Sequence, residues 1–273
     1  MARTPSGYVH GTHPEEQQRL ADLNALVNRA SLDAMVPRRG ERALDLGSGL
    51  GQFARELARA TGERVVGVEW SHEQLERANA LAAEAGESAW VDFRAGDAAD
   101  PPLTAAEWGS FDLAHARFLL EHVRSPQAVV DVMARAVRSG GRVVIEDDDH
   151  EKLRLWPEPP GFESVWRAYM RTYDRLGNDP HVGRRLVQLL HVAGLRHTRI
   201  AMPLLGACAG QPEFPAYVAN LTAIFDGARD AILATGGVSR EAFEAALSAV
   251  RAWGERRDAT FWFTISWAEA EKP

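Results

Sequence analysis

The sequence is poor in several features that would mark particular classes of protein. It contains a single cysteine, Cys208, so an internal disulfide is excluded and a reducing compartment, the cytoplasm, is expected. No apolar run approaches the ~20 residues that a membrane-spanning helix needs. Residues 1–5 lack the apolar core of a secretory signal. Internal repeats and low-complexity stretches are also missing, and we expect no membrane partner.

An excess of positive charge is missing as well. The 31 Lys and Arg residues are outnumbered by 38 Asp and Glu residues, and the net charge is -7. Proteins that bind nucleic acid usually present a basic surface, so we do not expect a nucleic-acid partner. Hydrophobic residues make up 45% and charged residues 25% of the chain, which is ordinary for a globular enzyme. We expect a monomer or homodimer.

The most informative segment is ALDLGSGLG at residues 43–51. A short apolar run ends in an acid, and a glycine then occupies every second position. Glycine is needed where the backbone turns with positive φ and where a ligand approaches the main chain. The next predicted strand ends in Glu69, about 20 residues further on, where a carboxylate can accept both hydroxyls of a ribose. This pattern predicts a cofactor that contains adenosine.

The spacing of the glycines separates two kinds of cofactor. Dinucleotide sites use G-x-G-x-x-G, but Gln52 stands where the third glycine would be. Asp45, two residues before the first glycine, would repel a diphosphate and attract a cationic amino-acid tail. An NAD(P)-dependent oxidoreductase is therefore the disfavoured alternative.

At this point the sequence resembles the class I S-adenosylmethionine-dependent methyltransferases, whose first motif has the form D-x-G-x-G-x-G. Two further segments fit the family, FRAGDA at 93–98 and FDLAHARFLLEH at 111–122. The resemblance covers roughly residues 40–150 and is closest to the small-molecule and secondary-metabolite group. High usage of Ala and Arg suggests a bacterial source.

The resemblance, together with alternating strands and helices over 41–147, predicts the fold class. We expect an α/β protein with a Rossmann-like, seven-stranded, mostly parallel sheet, helices on both faces, an antiparallel last strand and helical insertions around the sixth strand. The predicted domains are an N-terminal helical lid, a cofactor-binding core and an acceptor-binding elaboration that includes the last two strands, at 1–37, 38–150 and 151–273. Late elements are expected as helices and strands at 161–176, 181–193, 196–202, 212–234, 239–254 and 259–267.

The resemblance implies S-adenosylmethionine as the cofactor. It implies that Glu69 binds the ribose and that Asp97 binds the adenine amino group. It also implies that Gly49 lies so close to the cofactor that a side chain at this position would collide with it. The implied cofactor contacts come from the lid, the glycine turn and the ends of the strands. They are Tyr8, Asp45, Gly47, Ser48, Gly49, Gln52, Glu69, Trp70, Gln74, Gly96, Asp97, Ala98, Ala116, Arg117 and His122.

Most of the aromatic residues follow position 150, and several recur at helical spacing in two stripes. One stripe is Phe162, Trp166, Tyr169 and Tyr173, and the other is Phe214, Tyr217 and Phe225. They either pack helices on the sheet or face each other across an apolar acceptor pocket. The second interpretation predicts substrate-binding residues, namely Trp166, Tyr169, Tyr173, Asp148, Phe214 and Tyr217.

Transfer of an activated methyl group is an in-line displacement that requires alignment and exclusion of water. A general base is needed only when the nucleophile must lose a proton. Polar residues at the carboxyl ends of strands are the candidates, and we predict His122, Glu121 and His115 as catalytic, ahead of Asp147, Asp148 and His150. The acidic run at 146–149 is either a solvated loop or a site for a cationic amine. No metal is expected.

The predicted function is therefore S-adenosylmethionine-dependent methylation, at carbon, nitrogen or oxygen, of a small aromatic or apolar metabolite in natural-product biosynthesis. A protein that binds the same cofactor without transferring its methyl group, such as a cyclase, is the alternative from another class.

Overall fold

A computed structural model describes residues 27–273 of the chain. Its first helix, α1, covers residues 27–35. Tyr8 and most of the predicted lid lie outside the described residues. None of the helices within the described part is long and apolar enough to cross a membrane.

A seven-stranded sheet forms the centre of the fold. Its strands are β1 (Ala43–Leu46), β2 (Val65–Glu69), β3 (Val91–Ala95), β4 (Phe111–Arg117), β5 (Val137–Asp147), β7 (Arg196–Ala201) and β10 (Ser266–Glu271), arranged in the order β3-β2-β1-β4-β5-β10-β7. Strand β10 runs antiparallel between β5 and β7, and the other pairs are parallel. This arrangement confirms the predicted fold class.

Helices cover the sheet or extend beyond it. They are α2 (Gln52–Thr61), α3 (His72–Glu84), α4 (Pro126–Ala136), α5 (Phe162–Asp174), α6 (Leu186–Val192), α7 (Phe214–Ala234) and α8 (Arg240–Gly254). Local sequence explains where they begin. The Ser71 hydroxyl accepts the amide of Gln74 to cap α3, and Pro126 opens α4 at a position where no amide donor is needed.

The predicted strand at 259–267 is wrong in one respect, because it is two strands in different sheets. Residues Thr260–Thr264 form β9, which pairs with β6 (Arg154–Trp156) and β8 (Leu204–Cys208) in a small antiparallel sheet. The chain then passes through the fully buried Ile265 and joins the main sheet as β10. The small sheet itself was not predicted, since strands of three to five residues carry too little alternation to be recognised.

The buried apolar residues form separate clusters. Two of them lie against the main sheet, on β1, β4 and the helices α2 and α4. The third joins α5, α7 and α8 to the inner face of the small sheet. The aromatic segment after residue 150 therefore builds a core of its own beside the sheet.

Candidate active site

The glycine turn joins β1 to α2 at the carboxyl edge of the sheet. Gly47, Gly49 and Gly51 all have positive φ, at 72°, 53° and 68°. A Cβ on Gly51 would lie 2.2 Å from the ring of Phe93, so this glycine allows helix and strand to pack. A Cβ on Gly49 would meet only the flexible amide of Gln74, at 3.2 Å. Of the three glycines, Gly49 thus has the most open surroundings within residues 27–273.

A cavity of about 580 Å³, part of it open to solvent, lies over this turn. It is lined by Asp45, Gly47, Ser48, Gly49, Leu50, Phe53, His115, Arg117 and Phe118. The buried Ser48 Oγ and Gln52 Oε1 have no hydrogen-bond partner among residues 27–273. Ser48 lines the cavity, so a polar ligand there would satisfy its hydroxyl, and the site fits the cofactor that the sequence implies.

Glu69 ends β2 beside the turn. Its carboxylate accepts the amides of Gly49 at 2.9 Å and Ser71 at 2.8 Å. Burial raises the pKa of Glu69, although these amides oppose the shift. The carboxylate therefore braces the turn at the position predicted for the ribose.

The other predicted cofactor residues differ in accessibility. Trp70 is 41% exposed and Asp97 is exposed, while Gln74, which lies beside Gly49, and Ala98 are largely buried. A Cβ on Gly96 would lie 2.4 Å from Cδ of Pro102. The side chain of Ala116 is buried in the apolar core and does not face the cavity.

A buried charged cluster lies beneath the turn. Nδ1 of His115 contacts Asp45 at 2.7 Å, and its Nε2 contacts Glu146 at 3.0 Å. Burial alone would lower the pKa of His115, but the two carboxylates outweigh it and raise the pKa. Both ring nitrogens of His115 are engaged, so this residue has no free nitrogen for the catalytic role that the sequence predicts.

The same cluster extends to helix α1. The Ser31 hydroxyl donates to Glu146 at 2.6 Å, and the guanidinium of Arg117 donates to Ser31 at 3.1 Å and to Asn28 at 2.7 Å. The guanidinium also lies 4.6 Å from the ring centre of Phe53. Helix α1 therefore helps to position a cation that lines the turn cavity.

A second cavity encloses about 890 Å³, part of it open to solvent, between α5, α7 and the small sheet. Its wall is mostly apolar and aromatic, and it includes the predicted Trp166, Tyr169, Tyr173, Asp148 and Tyr217. Phe214 is the exception. Its ring is buried 5.3 Å from that of Trp253, between α7 and α8, so it is a packing residue and not part of the wall.

Several residues of this wall were not predicted. Phe118 has an uncommon positive φ of 50° and lines both cavities, so the two spaces adjoin at its ring. Phe261 and Phe263 alternate along β9 and line the cavity from the small sheet. Their alternation in the sequence indicates a strand, but it does not show that this strand belongs to the small sheet.

An acid–imidazole cluster lies at one side of the second cavity. The Oε2 atom of Glu121 lies 2.8 Å from Nε2 of His150, which also contacts the hydroxyl of Tyr173 at 3.2 Å. The hydroxyls of Tyr169 and Tyr173 are 3.0 Å apart. Burial favours protonation of Glu121, but His122 and His150 outweigh it and hold the pKa of Glu121 at about 2.

The acidic run at 146–149 is not a solvated loop, and that interpretation is wrong. Glu146 and Asp147 are fully buried, and Asp147 accepts the amides of Leu119 and Leu120. Burial, and then the nearby Glu121, raise the pKa of Asp148 well above its ordinary value. Asp148 lines the aromatic cavity, and its carboxylate is easily protonated.

Glu121, Asp148 and His150 each place a ligand-type atom within 4.8 Å of the others, a spacing that a metal ion can bridge. Nε2 of His150 is nevertheless already engaged by Glu121 and Tyr173. Glu121 and His150 are hydrogen-bonded directly to each other, as in an acid–base pair.

Replacing His115 by Gln should reduce stability in a pH-dependent way. The ion pairs of His115 are fully formed below its ordinary pKa of 6.5 and are lost as the pH rises through its raised folded value. Breaking a buried charged cluster costs about 3–5 kcal/mol. The difference in unfolding free energy between wild type and His115→Gln, from urea titrations, should be larger at about pH 6 than at about pH 9.

The exposed His191 on α6 provides the control, since His191→Gln should change the free energy of unfolding only slightly. A loss for His115→Gln that stays constant across this pH range would contradict the ion-paired assignment.

Residues 44–145 match the family described as "Methyltransferase domain". The chain is 33% identical over 202 residues to an uncharacterized 37.1 kDa protein in transposon TN4556 of Streptomyces fradiae, covering 71% of this chain and 56% of that protein. It is 35% identical over 157 residues to 27-O-demethylrifamycin SV methyltransferase of Amycolatopsis mediterranei, covering 57% and 54%. The chain thus spans about half the length of these curated relatives.

A putative methyltransferase from Bacillus halodurans has a similar fold, with a TM-score of 0.58 at 18% identity over 93% of this chain and 99% of that one. The sheet and the glycine turn of this chain agree with the family match. The methyltransferase-domain match over residues 44–145 and the named methyltransferase relative support the class I S-adenosylmethionine-dependent methyltransferases, the family that the sequence resembles.

Proposed function

We propose that the chain methylates a hydroxyl group of a small aromatic or apolar molecule, with S-adenosylmethionine as donor and without a metal. One observation carries this proposal, namely that Phe118 lines both the turn cavity and the aromatic cavity. A donor over the glycine turn and an acceptor among the aromatic rings would then meet at this ring.

The charges of the turn cavity support the position of the donor. An amino-acid tail carries an ammonium and a carboxylate, and the cavity offers Asp45 and Arg117 on its wall. We assign the ammonium to Asp45, the carboxylate to Arg117 and the ribose hydroxyls to Glu69. When bound, the donor supplies an activated methyl group on a sulfonium.

The second cavity supports the choice of acceptor. Its wall is mainly aromatic, so it suits a flat apolar guest and excludes water from the reacting atoms. Its acidic and imidazole groups lie on one side, where an acceptor hydroxyl would find partners, and Asn220 adds an amide from α7. The name of the rifamycin relative describes an O-demethylated compound, which favours oxygen over nitrogen or carbon as the acceptor atom.

Glu69→Ala should weaken donor binding, because charge-assisted hydrogen bonds to the ribose are lost. We expect a loss of about 1.5–3 kcal/mol in binding free energy, measured by calorimetry with S-adenosylhomocysteine. Glu69→Gln keeps one oxygen acceptor and should lose less. Since Glu69 also braces Gly49, thermal melts must show that both variants are folded. Unchanged affinity of a folded Glu69→Ala would remove this residue from the cofactor site.

The proposed activity is tested with a donor that carries a deuterated methyl group and a panel of hydroxylated aromatic compounds, with products read by mass spectrometry. We expect the label on oxygen of at least one acceptor, at an unchanged rate after dialysis against EDTA. A label on nitrogen or carbon, or a product of unchanged mass as a cyclase would give, contradicts the proposal.

Two residues three positions apart on α7 provide a matched pair of variants for the same assay. Tyr217 lines the cavity and stacks on Phe261, whereas Phe214 packs against Trp253. Truncating a buried aromatic side chain costs about 3–5 kcal/mol, so Leu in either position should lower the melting temperature. Only Tyr217→Leu should raise KM for the acceptor or change acceptor preference. Equal kinetic effects of both variants would argue against the assigned cavity.

A further inference from the structure

We propose that His150 is the general base of the methyl transfer and that Glu121 is its positioning residue. This inference rests on the proposed O-methylation and assigns the proton transfer within it. It moves the catalytic role away from His115 and His122, which the sequence favoured.

The fold brings His150 and Glu121 together from different strands. Glu121 lies in the short helical turn Leu120–His122 that follows β4, and His150 begins the turn His150–Lys152 that follows β5. Neighbouring parallel strands place these turns at the same edge of the sheet, where ligands bind in such folds. The two residues lie 29 positions apart in the chain and 2.8 Å apart in space.

The imidazole of His150 is held from several directions. Its ring centre lies 5.4 Å from Trp166, 5.5 Å from Tyr169 and 5.4 Å from Tyr173. Its own backbone is fixed as well, since the indole of Trp166 donates to its carbonyl at 2.8 Å and its amide donates to Pro180 at 3.1 Å. Little reorientation is then needed when a proton is transferred.

The hydrogen bonds define which nitrogen is available. Glu121 stays ionised, so it accepts Nε2–H of His150 and leaves the lone pair of the neutral ring on Nδ1. No group of residues 27–273 forms a hydrogen bond to this Nδ1. The atom is not closed off inside the protein, and His150 lines the cavity. The lone pair is therefore reachable by an acceptor hydroxyl. A base oriented by a carboxylate on its far nitrogen follows the logic of hydrolase triads.

The other two histidines are less suitable. Both nitrogens of His115 are engaged by carboxylates. Nε2 of His122 lies 3.5 Å from Glu121, and its Nδ1 is buried. His122 also stacks on Tyr173, with ring centres 5.9 Å apart, and forms part of the wall of the cavity.

The proton transfer balances without a further reactant. The acceptor O–H bond breaks and an N–H bond forms at Nδ1 of His150, while Glu121 stabilises the imidazolium. The acceptor oxygen forms its bond to the methyl carbon, and the electron pair of the broken carbon–sulfur bond stays on sulfur. The imidazolium then releases its proton to water, so the overall reaction yields one methyl ether, one thioether and one proton.

The charged and titratable groups around the ring set its pH dependence. They are Glu121, His122, Asp148, Asp149, Tyr169 and Tyr173. Burial lowers the pKa of His150, but Glu121, Asp148 and Asp149 outweigh it and raise the pKa above its ordinary 6.5. Turnover should therefore increase with pH through a midpoint above this value. Removing the charge of Glu121 should shift the midpoint to lower pH.

The first test needs neither donor nor acceptor. Proton–nitrogen NMR of protein labelled with ¹⁵N-histidine, with His150→Gln used for assignment, reports the tautomer and titration of the ring. We expect the Nε2–H tautomer and a midpoint above 6.5, which Glu121→Gln lowers and His191→Gln leaves unchanged. Two results overturn the proposal, even if methyl transfer itself is found. One is an Nδ1–H tautomer of His150, and the other is a titration midpoint of His150 that is the same in wild type and in Glu121→Gln.

The second test uses the panel compound that is methylated best. His150→Gln should lower kcat by about 10²–10⁴ at neutral pH while its affinity for S-adenosylhomocysteine is unchanged. Free imidazole should restore part of the rate to His150→Gly and should not affect His191→Gly. Undiminished kcat of His150→Gln, or a wild-type rate that is lost with EDTA and restored by Mn²⁺, overturns the assignment. If no compound is methylated, the NMR test still decides the state of His150 and only the proposed function fails.

Discussion

The ion pairing of His115 with Asp45 and Glu146 is the interaction on which the arrangement of the site depends. The three residues come from the adjacent strands β1, β4 and β5 in the middle of the sheet. Asp45 and His115 are also partners in the register of β1 and β4. A shift of one residue in this register would leave charges buried without partners, which costs several kcal/mol. The cluster thus fixes the edge of the sheet on which both cavities are built.

Each strand of this edge then carries its own part of the site. Strand β1 leads into the glycine turn, β4 ends at Arg117 directly before Phe118, and β5 ends in the acidic run before His150. Asp147 accepts the amides of Leu119 and Leu120 and so shapes the turn that carries Glu121. The carboxylates of Glu146, Asp147 and Asp149 accept hydrogen bonds from imidazole, hydroxyl, backbone and guanidinium groups, which is why three of the four acids can be buried. The half-buried Asp148 lines the aromatic cavity.

Much of the cofactor half could be predicted from the sequence because local signals agree there with the fold. The glycines with positive φ, the acid at the end of β2 and the cap of α3 each act through the backbone within a few residues. The acceptor half could not be predicted in the same way, because the position of its side chains depends on packing between elements that are far apart in the sequence. Phe214 and Tyr217 have the same local spacing, but α8 covers one and the cavity borders the other. The burial of the acidic run and the division of 259–267 between two sheets likewise depend on partners far away in the sequence.

The central claim is that the turn cavity and the aromatic cavity form one site that meets at Phe118. A crystal structure with bound S-adenosylhomocysteine tests it most directly. The account predicts the ribose at Glu69, the amino-acid end between Asp45 and Arg117, and the sulfur atom beside Phe118 facing the aromatic cavity. A sulfur atom directed away from that cavity, or a ligand bound outside the glycine turn, would contradict the account.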